Sequence, residues 1–205
     1  MTIYAFDQGL RERGFDPLCG VDEAGRGPLA GPVFAAAVIL PPDFASQWLN
    51  DSKKVTPRRR ELLYDQITGA ARWAVASASE EEIDRLNILQ ATFLAMERAW
   101  DRLCRDGERP PVLTLVDGNR LPPHLGQART LVGGDGVSAS VAAASILAKV
   151  TRDRYMLRLA EEYPQYAFEQ HKGYGTKLHY ERLAQYGPSP VHRRSFLKKW
   201  LEEQG

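Results

Sequence analysis

The strongest constraint on this chain is the stretch 19–40, where two adjacent acids, Asp22 and Glu23, end a short apolar run. A loop with three glycines and two prolines follows, and the uncharged apolar run 33–40 comes after the loop. The pattern predicts a strand, a loop and a second, buried strand. Adjacent carboxylates at the end of a buried strand are costly unless a cation or a donor meets them. Glycines let a backbone approach a ligand closely, so the stretch predicts a metal site beside a phosphate site.

Length and composition limit the class of protein. The 205 residues, 43% hydrophobic and 26% charged, are enough for one large globular domain with a full core. The net charge of +1 gives no global basic field, so any nucleic-acid binding must rest on local patches. Cys19 and Cys104 lack metal-type spacing, and no signal peptide is recognisable. Because the longest apolar runs are too short to span a bilayer, we expect a cytoplasmic protein with no membrane contact.

The order of patterns predicts a layered domain, α/β or α+β, with a mixed sheet. Strands are predicted at 18–22, 33–40, 72–77 and 112–116, and a short one at 130–132. Thr56 followed by Pro57 predicts a helix start, and Ser79 with Glu82 predicts a capping box. A long helix with an Ala-rich first half is predicted at 141–163, and Pro164 ends it. We expect a catalytic domain over 1–163 and a small helical region over 164–205 that contributes to substrate binding.

Four acids are candidate metal ligands. Asp22, Glu23 and Asp117 each lie at a predicted strand end, and Asp135 lies in a glycine-rich turn ahead of the long helix. Ligands of open α/β sheets gather at the carboxyl ends of strands, and an oxygen-only site suits magnesium or manganese rather than zinc. Turn acids and helix caps are the alternative, which is favoured for Asp117 taken alone. Neighbouring strand residues point to opposite faces, so Asp22 and Glu23 converge only if the strand ends or twists there, or if one of them contributes its backbone carbonyl.

Basic residues cluster at 53–60, 149–158 and 192–199. A solvated helix face explains any single cluster. Three clusters with aromatic neighbours, Tyr174 and Phe196 among them, favour contact with a phosphate backbone.

Six blocks of the chain together resemble bacterial ribonuclease HII. The first is Gly-Val-Asp-Glu-Ala-Gly-Arg-Gly-Pro-Leu-Ala-Gly-Pro at 20–32. The others lie at 50–54, 116–119, 134–153, 171–176 and 192–196, so the resemblance covers nearly the whole chain from Cys19 to Phe196. It implies a ribonuclease H-like α/β fold, a mixed sheet flanked by helices, with a small helical C-terminal appendage.

The resemblance also implies roles for individual residues. The four metal-binding catalytic acids correspond to Asp22, Glu23, Asp117 and Asp135. The loop that recognises the ribose 2′-hydroxyl corresponds to Gly25, Arg26 and Gly27, and an active-site lysine corresponds to Lys53. Tyr174 corresponds to a tyrosine that stacks on the deoxyribose after the ribonucleotide. A phosphate-contacting segment corresponds to His192, Arg193, Arg194 and Ser195. One departure is Gly133, where the family often has lysine.

The implied activity is that of a metal-dependent endoribonuclease. We expect hydrolysis of the RNA strand of RNA–DNA hybrids and cutting 5′ of single ribonucleotides in duplex DNA, leaving 5′-phosphate and 3′-hydroxyl ends. Two Mn²⁺ or Mg²⁺ ions would be the cofactors. These activities belong to ribonucleotide excision repair and DNA replication. We further expect a monomer without a clamp-binding tail.

Two other classes of protein are alternatives to this nuclease, and each predicts different features of the sequence. Ribonuclease HIII typically carries lysine where Arg26 stands and has an extra N-terminal domain, which the 18 residues before Cys19 are too few to form. A non-catalytic binder of hybrid duplexes gains nothing from four acids facing phosphates. Metal-dependent cleavage of a labelled hybrid separates the binder from the nuclease.

Overall fold

The computed structural model describes residues 2–49, 55–105 and 109–204. The strands are β1 Leu18–Ala24, β2 Val33–Ile39, β3 Arg72–Ala78, β4 Leu113–Asp117 and β5 Ala128–Leu131. The helices are α1 Ile3–Arg11, α2 Pro57–Ala70, α3 Glu80–Leu86, α4 Ile88–Arg105, α5 Ala139–Glu162, α6 Phe168–His171, α7 Lys177–Tyr186 and α8 Arg194–Gln204. The predicted elements are confirmed with small shifts at their ends.

The sheet has the order β3-β2-β1-β4-β5. Strands β1, β2 and β3 pair antiparallel, whereas β4 is parallel to β1 and β5 is parallel to β4. Val21 of β1 lies beside Val116 of β4, so the two following acids leave the sheet at the same edge. The mixed sheet thus places two of the four predicted acids side by side.

Helix α5 lies close against β1 because the residues in contact have small side chains. The side chains at 139–148 of α5 are all buried. At the crossing point stands Gly20, where a Cβ would lie 2.2 Å from the carbonyl carbon of Ser140. Only glycine fits this contact, which brings the polar residues of α5 to the end of β1.

The other face of the sheet packs on α3 and α4. Ile83, Met96 and Leu103 bury their side chains there against β1, β2 and β3. The capping box predicted at Ser79 is present, since its hydroxyl accepts from Glu82 N–H and the Glu82 carboxylate accepts from Ser79 N–H. The sheet is therefore covered on both faces, and its strand ends are the places where polar side chains collect.

The C-terminal helices share a core with α5 and with the loop after β1. Met156 of α5 and Leu29 of the loop pack with Phe168, Leu183 and Leu197. A helical C-terminal region is confirmed, and the domain boundary at residue 163 stays a prediction. Cys19 and Cys104 are free thiols. In the described ranges, no helix has the length and apolarity that crossing a membrane requires.

Candidate active site

One cavity of about 440 Å³ lies at the carboxyl ends of β1 and β4. The four predicted acids, Asp22, Glu23, Asp117 and Asp135, all line it, together with four of the nine predicted substrate-binding residues: Gly25, Arg26, Gly27 and Tyr174. The topology explains this gathering, since parallel strands end at the same edge and the loops that follow them enclose the space above it.

Asp22 is the most deeply buried of these acids, with 5% of its surface exposed. Its Oδ1 accepts a hydrogen bond of 2.7 Å from the backbone N–H of Glu23. Burial raises the pKa of Asp22 well above its usual value, the charges of Glu23 and Asp117 raise it further, and a hydrogen bond with Ser145 opposes the rise. A carboxylate in this position is stabilised by any cation that enters the cavity.

Glu23 follows Asp22 in β1 and lines the same cavity, where the two carboxylates lie within hydrogen-bonding reach of each other. It also lines a second groove, with Thr92 and Met96 of α4. Burial raises the pKa of Glu23, while Arg26, whose Nη1 lies 3.4 Å from Oε1, opposes the rise. Since β1 ends one residue after Glu23, the two adjacent acids reach one cavity although neighbouring residues within a strand point to opposite faces.

Asp117 lies at the end of β4 and lines both spaces. Its Oδ1 accepts a hydrogen bond of 2.7 Å from the backbone N–H of Gly134. Gly133 has φ +65°, a left-handed conformation that favours glycine, and Asp135 lies within the short 3₁₀ turn that follows. The backbone conformation of this turn thus gives a physical reason for glycine at position 133.

The donor chemistry of the cavity fits divalent cations that prefer oxygen. Carboxylates and the Ser145 hydroxyl line it, without histidine or cysteine, which suits Mg²⁺ or Mn²⁺. Within the described ranges, no three Asp, Glu, His or Cys side chains stand together as a ready-made metal cage. Burial and the neighbouring carboxylates raise the pKa of Asp22 and of Glu23, and a bound cation would favour their charged forms.

Two buried arginines, Arg152 and Arg193, hold the loop after β1 from its inner side. Gly25 has φ +97°, and a Cβ there would lie 2.0 Å from Nε of Arg152. Arg193 donates to the carbonyls of Gly25, Arg26 and Gly31 at 2.6, 2.9 and 2.8 Å. The backbone of the loop is consequently fixed while its outer surface, with Arg26 and Gly27, stays exposed.

Tyr174 lies opposite this loop, with 44% of its surface exposed. A Cβ built on Gly27 would be 3.7 Å from Cε1 of the tyrosine, so the two predicted recognition elements touch. The guanidinium carbon of Arg152 lies 5.9 Å from the ring centre. An exposed ring beside a glycine loop at the mouth of the cavity is available to a flat ligand surface.

The four residues of the predicted phosphate-contacting segment differ in their exposure to solvent. Arg194 is exposed, whereas His192 and Arg193 have 2% and 0% of their surface exposed. The hydroxyl and backbone N–H of Ser195 both donate to the carboxylate of Asp84. Direct phosphate contact does not fit the burial of His192 and Arg193, because their polar atoms are satisfied by the protein interior.

Lys53 and the predicted loop 50–54 lie outside the described residues.

Three residues of α5 that line the cavity were not among the predicted site residues: Ser145, Lys149 and Arg152. Lys149 Nζ lies 2.7 Å from Oδ1 of Asp153, and Arg152 donates to the carbonyls of Ala30 and Pro32. Their spacing of four and three residues puts them on one helix face. That spacing was the signal available in the sequence, and it lay inside the block 134–153.

The fold and the site define a class. A mixed five-stranded sheet flanked by helices, with acids at neighbouring strand ends, is a ribonuclease H-like domain. The sequence model of the ribonuclease HII family matches residues 19–199, and the chain belongs to that family. Membership supports an endoribonuclease that acts on the RNA strand of RNA–DNA hybrids.

Individual relatives agree with this assignment. The ribonuclease HII of Endomicrobium trichonymphae is 53% identical over 197 residues, which are 95% of this chain and 92% of the relative. The structure of the PCNA–ribonuclease HII complex from Archaeoglobus fulgidus superimposes with a TM-score of 0.68 and 26% identity, covering 86% of this chain and 93% of that one. Bst ribonuclease HIII in complex with Mn²⁺ shares the fold, with a TM-score of 0.62, 20% identity, and coverage of 71% and 54%.

Proposed function

We propose that this protein cuts 5′ of single ribonucleotides embedded in duplex DNA, as well as within RNA–DNA hybrids, and leaves 5′-phosphate and 3′-hydroxyl ends. The observation that carries the proposal is the shared cavity. The acids Asp22 and Asp117 line it together with the loop around Arg26 and the exposed ring of Tyr174. Groups suited to cleavage and groups suited to sugar recognition are thus within reach of the same nucleotide.

Cleavage in this proposal rests on a two-metal centre held by Asp22, Glu23, Asp117 and Asp135. Mn²⁺ or Mg²⁺ ions held by these acids would supply an activated water and stabilisation of the oxygen that leaves the phosphodiester. The chain's own part is to hold negative charge at the strand ends, with Ser145 donating to Asp22 and Gly134 donating to Asp117. Lys149 adds a positive charge at the wall of the cavity, where the phosphate would lie.

Choice of the ribonucleotide rests on the 2′-hydroxyl, which is the group that distinguishes RNA from DNA at one position. The exposed surface of Arg26 and Gly27, which follow the buried Gly25, supports this role, because a glycine backbone can approach a sugar edge without side-chain obstruction. The ring of Tyr174 would pack on the next sugar where no 2′-hydroxyl intrudes, so it recognises the change from RNA to DNA.

The duplex itself would be held by phosphate contacts that carry no sugar information. Exposed Arg194 at the start of α8 supports a contribution of the C-terminal region to this binding. Such substrates arise during DNA replication and are removed by ribonucleotide excision repair, and the proposal includes a role in these processes in the cytoplasm. Action as a monomer without a clamp-binding peptide stays a prediction, although the Archaeoglobus fulgidus relative was solved with PCNA.

The test is a cleavage map with two substrates, one a duplex with a single ribonucleotide and the other a continuous hybrid, each with Mg²⁺ or Mn²⁺. We expect cutting 5′ of the lone ribonucleotide by the wild type. Tyr174→Ala should cut this duplex about tenfold more slowly, as expected for the loss of one stacking contact of 1–3 kcal/mol, and Tyr174→Phe should retain most of the rate.

Thermal melting of both variants is the control for folding. Wild-type rates of Tyr174→Ala on both substrates would remove the proposed role of the ring, and a wild type that binds but never cuts would leave only a hybrid binder.

A further inference from the structure

Behind the loop that carries Tyr174 lies a cluster of three buried histidines. His171, His179 and His192 have 8%, 0% and 2% of their surface exposed. The rings of His171 and His179 stack with centres 4.4 Å apart, and Phe168 packs edge-on against both. Nothing in the cleavage chemistry uses these rings, and their burial keeps them away from any substrate.

Each ring nitrogen in the pair His179 and His192 has a partner that determines which nitrogen holds the proton. The backbone N–H of Ser189 donates to Nδ1 of His192 at 3.0 Å, so the proton of His192 is on Nε2. Nε2 of His192 lies 3.0 Å from Nε2 of His179. Nδ1 of His179 lies 3.0 Å from the carbonyl oxygen of Tyr174, which can only accept. His192 therefore donates to His179, and His179 donates to Tyr174.

We infer that His179 and His192 are positioning residues for Tyr174, and that this two-histidine relay sets how well the protein recognises the junction from RNA to DNA. The inference rests on the proposed role of the Tyr174 ring. Neither histidine touches substrate, and both act through the Tyr174 backbone.

The bond from His179 adds a contact to the core that the backbone bonds within this loop do not make. Tyr174 is flanked by Gly173, with φ +83°, and by Gly175. Its backbone N–H donates to the carbonyl of His171, and its carbonyl also accepts from Thr176 N–H at 2.8 Å. These bonds hold the turn, and Leu29 N–H donates to the carbonyl of Gly173 at 2.8 Å from the loop after β1, whereas the bond from His179 joins the Tyr174 backbone to the histidine cluster beneath it. Fixing the backbone fixes where the ring meets Gly27.

The same relay links the two recognition elements. His192 is followed by Arg193, whose guanidinium holds the carbonyls of Gly25 and Arg26. An isolated bridge pairs Ala30 with His192. One dipeptide thus anchors the 2′-hydroxyl loop through Arg193 and the tyrosine loop through His192, which keeps their spacing constant.

Neutral histidines are required for this arrangement, because a doubly protonated ring donates at both nitrogens and has no acceptor. Burial lowers the pKa of His179 to about 4, opposed by its hydrogen bond to the Tyr174 carbonyl, and burial together with the neighbouring His179 lowers the pKa of His192 to about 3. At neutral pH both rings consequently carry one proton, as the hydrogen-bond partners demand.

The experiment uses four variants of the full chain. His179→Leu removes both relay bonds, and His179→Asn retains a donor near the Nδ1 position that faces Tyr174. His192→Asn retains an acceptor for Ser189 and loses the donor to His179, so it interrupts the relay if His179→Leu fails to fold. Phe168→Leu is the matched control, since Phe168 is buried in the same cluster and contributes packing only.

The measured quantity is the ratio of kcat/KM on the single-ribonucleotide duplex to kcat/KM on the continuous hybrid, well below the melting temperature of each variant. We expect His179→Leu and His192→Asn to lower this ratio about five- to tenfold, the factor for one hydrogen bond. His179→Asn should recover most of the ratio, and Phe168→Leu should leave it unchanged even if it melts earlier.

A double-mutant cycle then separates this inference from the proposed function. If the histidines act through the ring, His179→Leu lowers the ratio no further in a Tyr174→Ala background. Additive losses, or an unchanged ratio in His179→Leu and His192→Asn, would overturn the relay while the role of Tyr174 stands. No effect of Tyr174→Ala itself would instead reject the proposed junction recognition.

Discussion

The Oδ1 atom of Asp117 accepts a 2.7 Å hydrogen bond from the backbone N–H of Gly134, the residue directly before Asp135. The bond connects the end of β4 to the turn that precedes α5, so the first carboxylate determines where the second one stands. Asp117 also ends a regular strand, whereas Asp135 lies in a turn rich in glycine. The two acids differ in rigidity, and this difference has a measurable consequence.

Asp117→Asn should lower kcat more than Asp135→Asn does. A charge lost from the rigid strand end should cost at least about 100-fold, while the loss at the turn should cost about tenfold, the range of an indirect metal contact. Turnover on a labelled hybrid at saturating Mg²⁺ measures both, and circular dichroism checks the fold. Equal losses at saturating metal would contradict the ranking.

Asp22→Asn should abolish cleavage and stabilise the fold in the absence of divalent metal. The pKa of Asp22 is raised in the folded state, so the buried charge destabilises the protein above the ordinary pKa of the carboxyl and the amide removes that cost. Mg²⁺ should raise the melting temperature of the wild type more than that of the variant. Melting curves in EDTA and in Mg²⁺ measure this, and a variant that keeps its activity would remove Asp22 from the metal site.

Local rules predicted much of this fold and site. The capping box at Ser79, the helix start at Pro57 and the end of the long helix at Pro164 follow from backbone hydrogen bonding over a few residues. The placing of Asp22 and Asp117 side by side follows from a general property of parallel strands.

The features that the sequence did not predict depend on contacts between residues that are distant in the chain. Arg193 lies in a basic cluster, which favours a surface role, yet it is buried because three carbonyls of the loop after β1 need a donor. The histidine cluster joins positions 171, 179 and 192, and no spacing rule connects them. Such contacts depend on how the C-terminal helices dock on α5.

Alanine substitutions of Arg193 and Arg194 should affect different quantities, stability in one case and nucleic-acid binding in the other. Arg194→Ala should weaken binding to hybrid and to plain DNA alike and reduce the salt slope by about 1, with an unchanged melting temperature. Arg193→Ala should instead lower the free energy of unfolding by about 3 kcal/mol, because it leaves buried carbonyls without a donor. Binding titrations from low to high salt and urea unfolding measure the two quantities, and equal salt slopes for both variants would contradict the separation.

The histidine cluster should make stability fall in acid. The folded-state pKa values of His179 and His192, about 4 and about 3, lie below the ordinary value near 6.5. Below about pH 6.5 the unfolded chain therefore binds protons that the folded chain does not. The free energy of unfolding should drop as pH falls, by at most about 1.4 kcal/mol per pH unit for each histidine.

Other titratable groups also affect how the free energy of unfolding depends on pH. The pKa of His171 is also lowered by burial, with Glu169 favouring its protonation and Lys172 opposing it, and Arg194 opposes protonation of His192. The raised pKa values of Asp22 and Glu23 make the free energy of unfolding rise as pH falls, because these acids bind their protons at a higher pH in the folded state than in the unfolded state.

A comparison of wild type with a double His179→Asn, His192→Asn variant cancels the contribution of these carboxylates. Urea unfolding between pH 7.5 and 4.5 should give the double variant the flatter curve, and identical slopes would show that the two histidines take up protons equally in both states.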